Sequence, residues 1–530
     1  MRRGRQPGPE RGLEREARLS GPPAEPLGSS QAVCYERAAA SRDAMPISHT
    51  TPGTVLTLLA QRAAELPARP AVTDERVALT FGDLLARVTA GADRLADAGV
   101  GRGARVAILL PTSVEFVEAL LSVLACGASA LPLHPGTSAA EMRRVLADSR
   151  ATALIAHQEI ARIRAPEHGA AVASAEGGVR VLRPLASSRR LASTPPPRPA
   201  DDALIAYSSG TTGRPHAVVR THENLWWEAE NFWNATQLAA DDRILCVLPL
   251  AHAHGLGNAL LASLRSGARL VLRPRFLRRA TLDLLAHERI TVFPTVPFMV
   301  RMLTATDRRR RWDLAALRLC FSAGAPLARG VFDGFQTRFR IPVRQLYGTT
   351  EAGSVALNMA PPDSLDPESV GRPLGSVRVT IEDARGRDLP LGESGEIVVR
   401  SPAATGGSDA ALRTRDLGHW SAAHELVITG RTSLFINAAG NKIDPAEVEA
   451  ALRLHPAVAD VAVFGIPAPH GEQAVAAAVV PAGHCTADSL RVHCRALLAG
   501  YKVPRVVIFR SALPRSPLGK VLIGHLIAEA

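Results

Sequence analysis

The sequence predicts an α/β protein in two unequal parts, and three observations predict it. A chain of 530 residues is too long for one compact core. From Thr80 to Ala156, apolar strand-like runs alternate with helical stripes, the β-α-β spacing of a parallel sheet flanked by helices. Beyond Gly440 the signals change to one helix start and two strand-like runs, Val461 to Gly465 and Ala474 to Val480, which read as a small α+β unit.

In order along the chain, Met1 to Ala44 is rich in Arg, Pro, Gly, Glu and Ser with no sustained apolar period, the composition of a disordered leader. Met45 offers an alternative start, so residues 1–44 are equally well read as a mis-called translation start. Thr80 is a helix N-cap, followed by a stripe of Leu84, Leu85, Val88 and Leu95 that stops at Gly99. Val106 to Leu110 and Ala128 to Leu133 are short buried strands around a helix from Val114 to Ala125, and Ala151 to Ala156 is a third strand. Pro184 to Asp202 is a loop stiffened by Pro195 to Pro197. A helix from about Asn224 to Leu238 carries Trp226, Trp227, Phe232 and Trp233 at helical spacing, which favours packing over base stacking. Ile244 to Leu248, Ala268 to Leu272 and Val292 to Val296 are strand-like. Asp444, Pro445 and Glu447 supply an N-cap, an N1 proline and a capping-box partner, so a helix starts there.

Composition narrows the function classes. Apolar content of 46% with 21% charged residues describes a globular protein, and no apolar run reaches the ~18 residues of a membrane span. The N-terminus lacks the apolar core of a secretion signal. The net charge of +12 suits an anionic partner such as a nucleotide or CoA. The arginine run at 308–311 lies between Asp307 and Asp313 and reads as a solvated loop, so specific nucleic-acid binding is not expected. Six cysteines, Cys34, Cys126, Cys246, Cys320, Cys485 and Cys494, form no CxxC pair, and several sit in apolar runs, which fits a reducing cytoplasm.

The chemistry is concentrated in Tyr207 to Val219, Tyr-Ser-Ser-Gly-Thr-Thr-Gly-Arg-Pro-His-Ala-Val-Val. A strand-like run enters it and a β-branched run leaves it. Ser208, Ser209, Gly210, Thr211, Thr212 and Gly213 combine hydroxyls with glycines that let backbone N–H groups approach anionic oxygens. That is the composition of a phosphate cradle, and also of a polar hairpin turn. The G-x-x-x-x-G-K-[ST] form of the P-loop is absent.

This stretch resembles the phosphate-loop signature of the adenylate-forming superfamily: acyl-CoA synthetases, peptide-synthetase adenylation domains and luciferases. Further segments resemble that superfamily's signatures, in order, and the resemblance covers roughly Thr54 to Ile527. Leu248-Pro-Leu-Ala-His-Ala-His-Gly-Leu is similar to the acyl-pocket segment of CoA ligases and implies that His252 lies beside the acyl group and the adenylate. A zinc site at His252 and His254 would need a third ligand that the spacing does not offer. Ser322-Ala-Gly-Ala-Pro-Leu resembles the adenine-contacting turn, in Gly324, Ala325 and Pro326. Gln345-Leu-Tyr-Gly-Thr-Thr-Glu351 implies that Tyr347 and Gly348 meet adenine, that Thr350 contacts the α-phosphate, and that Glu351 holds Mg²⁺, roles that suit a π-face, an O–H donor and a hard oxygen.

Arg413-Thr-Arg-Asp416 stands where the superfamily has Thr-Gly-Asp, which implies that Asp416 accepts the ribose hydroxyls. Gly430 to Gly440 resembles the hinge segment, with Arg431 at the ribose or phosphate, Ser433 at the pivot and Gly440 in the loop that faces the site after rotation. Pro514-Arg-Ser-Pro-Leu-Gly-Lys520 resembles the terminal signature, with Lys520 as its catalytic lysine. The resemblance implies stacked β-sheets with flanking helices in a large N-terminal domain, residues 45–431, and a small hinged α+β domain, residues 432–530. Four departures stand out: His216 and Ala217 for Lys-Gly, Arg415 for glycine, Ser433 for Lys or Asp, and a short segment from Ser401 to Leu412.

The implied reaction is attack of a carboxylate on the α-phosphorus of ATP, release of pyrophosphate, and transfer of the acyl group to a thiol. ATP, Mg²⁺ and CoA are the implied cofactors and co-substrates. A separate acyl carrier protein is the alternative acceptor, and a nucleotide-binding relative with lost activity is the alternative function. Asp488-Ser-Leu490 resembles a phosphopantetheine attachment triplet but falls in a helical apolar stripe, where packing is expected. Amino-acid-activating relatives keep an Asp near the acyl segment to pair the substrate ammonium. None stands between Pro249 and Asn258, so the expected substrate is an aliphatic or aromatic acid without a free α-amino group. At His216 an imidazole replaces a permanent charge, which predicts tighter ATP binding below neutral pH than above it.

Overall fold

The computed structural model describes residues 51–530 except 136, 138, 158–170, 175–178, 183–195, 209–215, 308, 432–435, 439–440, 444, 469–472, 499 and 517–518. Ser209 to Gly213, Ser433 and Gly440 therefore lie outside the described residues, as do the side chains of His216 and Arg431.

Two sheets carry the larger part. A nine-stranded sheet runs in space from Arg372–Pro373 through Gly353–Leu357, Val343–Thr349, Leu319–Ser322, Val292–Thr295, Arg243–Cys246, Arg269–Leu272 and Pro70–Thr73 to Ala78–Thr80. Its six central strands, from Val343–Thr349 to Pro70–Thr73, are parallel. A seven-stranded sheet is ordered Ala171–Ser174, Val179–Leu182, Ala153–His157, Arg105–Leu109, Ser129–Pro132, Asp202–Ser208, His216–Thr221. Alternation along Arg105–Leu109 decides what each face meets. Val106 and Ile108 join the main core with the nine-stranded sheet, while Ala107 and Leu109 pack with Met142, Val145 and Leu146 on the other side. Strands buried on both faces have continuous apolar sequence, which is why these runs were legible as strands.

At Thr80 a helix starts where the sequence puts its cap, while Asp444, the other expected cap, lies outside the described residues. Thr80 accepts from Asp83 N and Asp83 answers to Thr80 N, closing a capping box on Phe81–Asp97, and Gly99 follows its end at φ +79°. Val114–Ala125 has the expected bounds, and the tryptophan-bearing helix spans His222–Thr236. Trp226 and Phe232 are buried, in keeping with packing. Helices Val55–Glu65, capped by Thr54, Ala139–Ser149, Arg278–His287, Pro297–Thr304 and Arg329–Phe339 were not anticipated.

After Arg372–Pro373 comes a four-stranded antiparallel sheet, Arg378–Glu382, Gly395–Arg400, Leu412–Trp420 and Leu426–Arg431. The C-terminal part is a smaller α+β unit. Its three-stranded sheet, Val458–Pro467, Gln473–Pro481 and Val506–Phe509, buries Val461, Val463, Val475 and Ala477 with Val448, Leu452, Leu490 and Cys494 of helices Pro445–Arg453 and Ala487–Leu497. The other face packs Ala462, Phe464 and Ala476 on Leu513 and Leu526. Within Ala487–Leu497, Leu490 is buried and Ser489 completes a capping box with Thr486, so the Asp488-Ser-Leu490 triplet serves packing and capping.

Candidate active site

Parallel strands place the C-terminal ends of their chains on one edge, and in open α/β sheets ligands bind there. That edge gathers His252 and His254 after Arg243–Cys246, Thr295 at the end of Val292–Thr295, Ser322 to Pro326 after Leu319–Ser322, and Tyr347 to Glu351 at the end of Val343–Thr349. On the neighbouring sheet, Asp202–Ser208 and His216–Thr221 are antiparallel partners with Ser208 opposite His216, so the phosphate-loop segment closes a hairpin.

Tyr347 and Asp416, expected at adenine and ribose, are 69 residues apart, and the Tyr347 hydroxyl donates to Asp416 Oδ2 at 2.7 Å. Asp416 is buried on Leu412–Trp420, directly across from Arg431 in register. The turn after Ser322 exposes Gly324, Ala325 and Pro326. Gly324 has φ +85°, and an added Cβ there would meet nothing within 4 Å, leaving room for a flat ring against the backbone. Gln345 holds this turn to its neighbour by accepting from Leu327 N at 3.0 Å.

The turn bearing Thr350 and Glu351 is compact. Thr349 Oγ1 accepts from Ala352 N, and a Cβ on Gly348 would lie 2.5 Å from Gly353 O. Glu351 is half-buried, and its carbonyl accepts from Thr405 N at 2.8 Å. Thr405 belongs to the short Ser401-to-Leu412 segment, and this segment is a built loop. Asn224 Nδ2 donates to Pro402 O and Ala404 O, Arg220 Nη2 donates to Ala403 O, and Ser401, Ala403 and Ala404 are buried. At Arg415 the backbone keeps φ +62°, the left-handed region that the superfamily's glycine enters without penalty.

The acyl-pocket segment runs into a π-helix, Leu256–Leu261, a form that concentrates at functional sites. His254 Nε2 lies 2.9 Å from Thr295 O, Asn258 Nδ2 lies 3.0 Å from His254 Nδ1, and Ser354 Oγ donates to Asn258 Oδ1 at 2.8 Å. A carbonyl can only accept, so Nε2 carries the proton; a neutral ring then accepts at Nδ1, and every direction in the chain is fixed. The surrounding protein pushes the His254 pKa down to about 4, which keeps the ring neutral. Phe321 meets His254 edge-on, and Phe232 lies behind Phe321.

His252 is also lowered to about 4, first by burial, then by the charges of His134 and Lys520. His134 stacks on His252 with ring centroids 5.7 Å apart, and His252 Nε2 is buried with no hydrogen-bond partner among the described residues. The electrostatic reach of Lys520 to His252 brings the chain's last signature to its acyl segment. Lys520 is exposed on a tight hairpin in which Ser516 N donates to Lys520 O and Gly519 has φ +81°.

Sequence reasoning missed His134 and the buried Arg220–Glu228 pair. The available signals were a polar residue at the end of a parallel strand and a charged residue interrupting a β-branched one. Among the described residues no group of three His, Cys, Asp or Glu side chains could hold a metal by itself. Mg²⁺ takes few protein ligands, commonly one or two carboxylates with substrate phosphates, so a single carboxylate such as Glu351 is compatible with it.

Comparison with known proteins gives a consistent set of matches. The profile of the family described as AMP-binding enzyme matches residues 59–407, and that of the AMP-binding enzyme C-terminal domain matches residues 447–520. A feruloyl-CoA synthase of Amycolatopsis sp is 34% identical over 88% of this chain and 97% of its own length. A sulfoacetate–CoA ligase of Cupriavidus necator is 33% identical over 88% of this chain and 96% of its own. The crystal structure of ATP-bound MatB from Rhodopseudomonas palustris superposes with a TM-score of 0.77 at 26% identity, covering 90% of this chain and 99% of that one.

Proposed function

Given that this chain belongs to the AMP-binding enzyme family, we propose that the residues gathered at the strand ends form its active site and that its substrate is a carboxylic acid without a free α-amino group. The enzyme is an AMP-forming acid–thiol ligase. It converts a carboxylate and ATP to an acyl-adenylate and pyrophosphate, then passes the acyl group to the thiol of CoA. The observation that carries the site assignment is the convergence of distant signatures: Tyr347 on Asp416, and Lys520 within electrostatic reach of His252.

In this reading each group has one task. Asp416 accepts from the ribose hydroxyls, sharing its carboxylate with the Tyr347 hydroxyl, and Arg431 stands across the strand pair from it. The base lies on Gly324 to Pro326 and Tyr347. Ser208 to Gly213 and His216 border the β- and γ-phosphates. Thr350 donates to the α-phosphate. Glu351 would hold Mg²⁺, which supplies charge neutralisation on the polyphosphate. Lys520 places a cation between the attacking carboxylate and the α-phosphate, where negative charge builds up. His252 offers its unpartnered Nε2 toward the acyl carbonyl. Residues 45–431 and 432–530 act as two bodies pivoting at Ser433, and rotation replaces Lys520 with the loop at Gly440 to admit the thiol.

The acid preference rests on charge. His252 and His254 are both held neutral, Asn258 spends its amide on His254 and Ser354, and no carboxylate lies between Pro249 and Asn258. A substrate ammonium placed there would go unpaired. The Phe321 and Phe232 rings behind His254 favour an apolar or aromatic acyl group, in keeping with the feruloyl-CoA synthase relative. Free thiols at Cys126, Cys246, Cys320 and Cys494 are consistent with a reducing cytoplasm. Among the described residues no helix is long and apolar enough to cross a membrane.

The test is pyrophosphate release over a panel of aryl, aliphatic, dicarboxylic, sulfonated and α-amino acids, with CoA, with a pantetheine-loaded carrier protein, or with neither. Release with aryl or aliphatic acids and thioester formation on CoA is the expected result. Strong activity with α-amino acids alone would refute the acid assignment, and thioester formed only on the carrier protein would replace CoA as acceptor.

A further inference from the structure

Arg220 and Glu228 form an ion pair with Arg220 Nη1 2.5 Å from Glu228 Oε2, at 1% and 2% side-chain exposure. A pair buried this completely is costly, and apolar residues of the same volume would usually serve stability as well. Its surroundings suggest what it does instead. Arg220 lies on His216–Thr221, the strand that leaves the phosphate loop, and it also donates to Asn224 O and to Ala403 O of the loop that holds the Glu351 carbonyl. Glu228 lies on His222–Thr236 and reaches two glycines of the site.

A Cβ on Gly257, in the π-helix of the acyl segment, would be 2.1 Å from Glu228 Oε1. A Cβ on Gly353, two residues after Glu351, would be 2.7 Å from Glu228 Cδ and 3.0 Å from Arg220 Nη2. Gly353 also has φ +69°, so a side chain is excluded there twice over. One carboxylate is thus wedged between the acyl segment and the Glu351 turn, and its cation is tied to the phosphate-loop strand. These are the segments whose relative placement the first half-reaction requires.

We propose that Arg220 and Glu228 are positioning residues for adenylation: their buried pair sets the register between the phosphate-loop strand, the acyl-pocket helix and the turn bearing Glu351. This rests on the reaction assigned above. Both side chains are almost wholly buried, so their effect is on the geometry of the groups around them.

The experiment uses the full-length enzyme and two variants. Arg220→Met/Glu228→Leu replaces the pair with apolar side chains of similar volume, and Glu228→Gln keeps the shape while removing the charge. Each is assayed for thermal midpoint, for adenylation by pyrophosphate exchange with an acid the wild type accepts, and for thioester formation from chemically prepared acyl-adenylate and CoA. The double variant should melt near the wild type yet lose on the order of 10²-fold in adenylation kcat, the usual effect of a small misplacement of reacting groups. Thioester formation from supplied adenylate should change far less. A double variant with wild-type adenylation, or equal losses in both half-reactions that track a lowered midpoint, overturns the proposal. If the double variant does not fold, Glu228→Gln gives the same comparison. Should the wild type adenylate no acid, the reaction assignment fails separately, and the pair is then judged by MgATP affinity in calorimetry. A weakening of roughly 10–100-fold is the expected cost of disturbing the support of a metal ligand, and an unchanged affinity overturns it.

Discussion

Asn258→Asp tests the polar chain that runs from Thr295 through His254 and Asn258 to Ser354. In the wild type, Asn258 Nδ2 donates to a neutral His254 whose other nitrogen is committed to Thr295 O. The aspartate puts an acceptor where that donor stood, so His254 Nδ1 must take up a proton to keep the contact; Ser354 can still donate to the carboxylate. An opposite charge in contact with the ring should raise the His254 pKa from about 4 by up to about 3 units, toward ~7. At 1.36 kcal/mol per unit this is a differential of about 4 kcal/mol between the two protonation states.

The sign of the pH dependence then reverses. In the wild type the folded His254 pKa lies below its unfolded value of ~6.5, so stability is lost as pH falls from ~6.5 toward 4. In the variant the folded value lies above the unfolded one, so the ion pair's contribution is present below ~6.5 and is lost as pH rises through the folded value. Thermal midpoints from pH 5 to 8 and the His254 resonance in NMR titration read both effects. An Asn258→Asp enzyme whose His254 still titrates near 4, with a wild-type pH–stability profile, would refute the hydrogen-bond directions assigned here.

Lys520→Ala should lower adenylation by on the order of 10²–10³-fold with fold and ATP binding retained, checked by pyrophosphate exchange and calorimetry. Arg415→Gly relieves ~1–2 kcal/mol of left-handed strain against ~0.5–1 kcal/mol of added chain entropy, so a small net rise in thermal midpoint is expected; a lower midpoint would show that the arginine contributes more than its backbone costs. His222, His252 and His254 all have pKa values lowered to about 4, so acidification from pH 7 to pH 5 should cost about 2 kcal/mol for each, measured by denaturant unfolding at the two pH values. His216→Lys should flatten the pH dependence of the ATP KM and lower that KM above neutral pH, and superimposable profiles would leave His216 without a role in ATP affinity.

The sequence by itself determined the layout. Runs such as Val106 to Leu110 are buried on both faces of a parallel sheet, which makes them continuously apolar and readable as strands. Thr80 with Asp83 is a local capping pattern whose physics is complete within four residues, and helix Pro445–Arg453 starts at the expected proline. Tyr347, Glu351, Asp416 and Lys520 stood out through their segments' resemblance to the adenylate-forming signatures, and the roles given to them are those proposed above.

Tertiary structure alone decided the contacts between them. No pattern within a segment shows that the Tyr347 hydroxyl meets Asp416, that His134 stacks on His252, or that the loop from Ser401 is stitched to Asn224 and Glu351. Glu228 shows why. At the sequence level it is one acidic residue in an aromatic-rich helix and would be assigned to a solvated face. Its burial depends on Arg220 eight residues earlier, and on the missing side chains of Gly257 and Gly353, brought from two other strands' ends. A charge can be buried only where partner and space arrive together, and that coincidence is a property of the assembled fold.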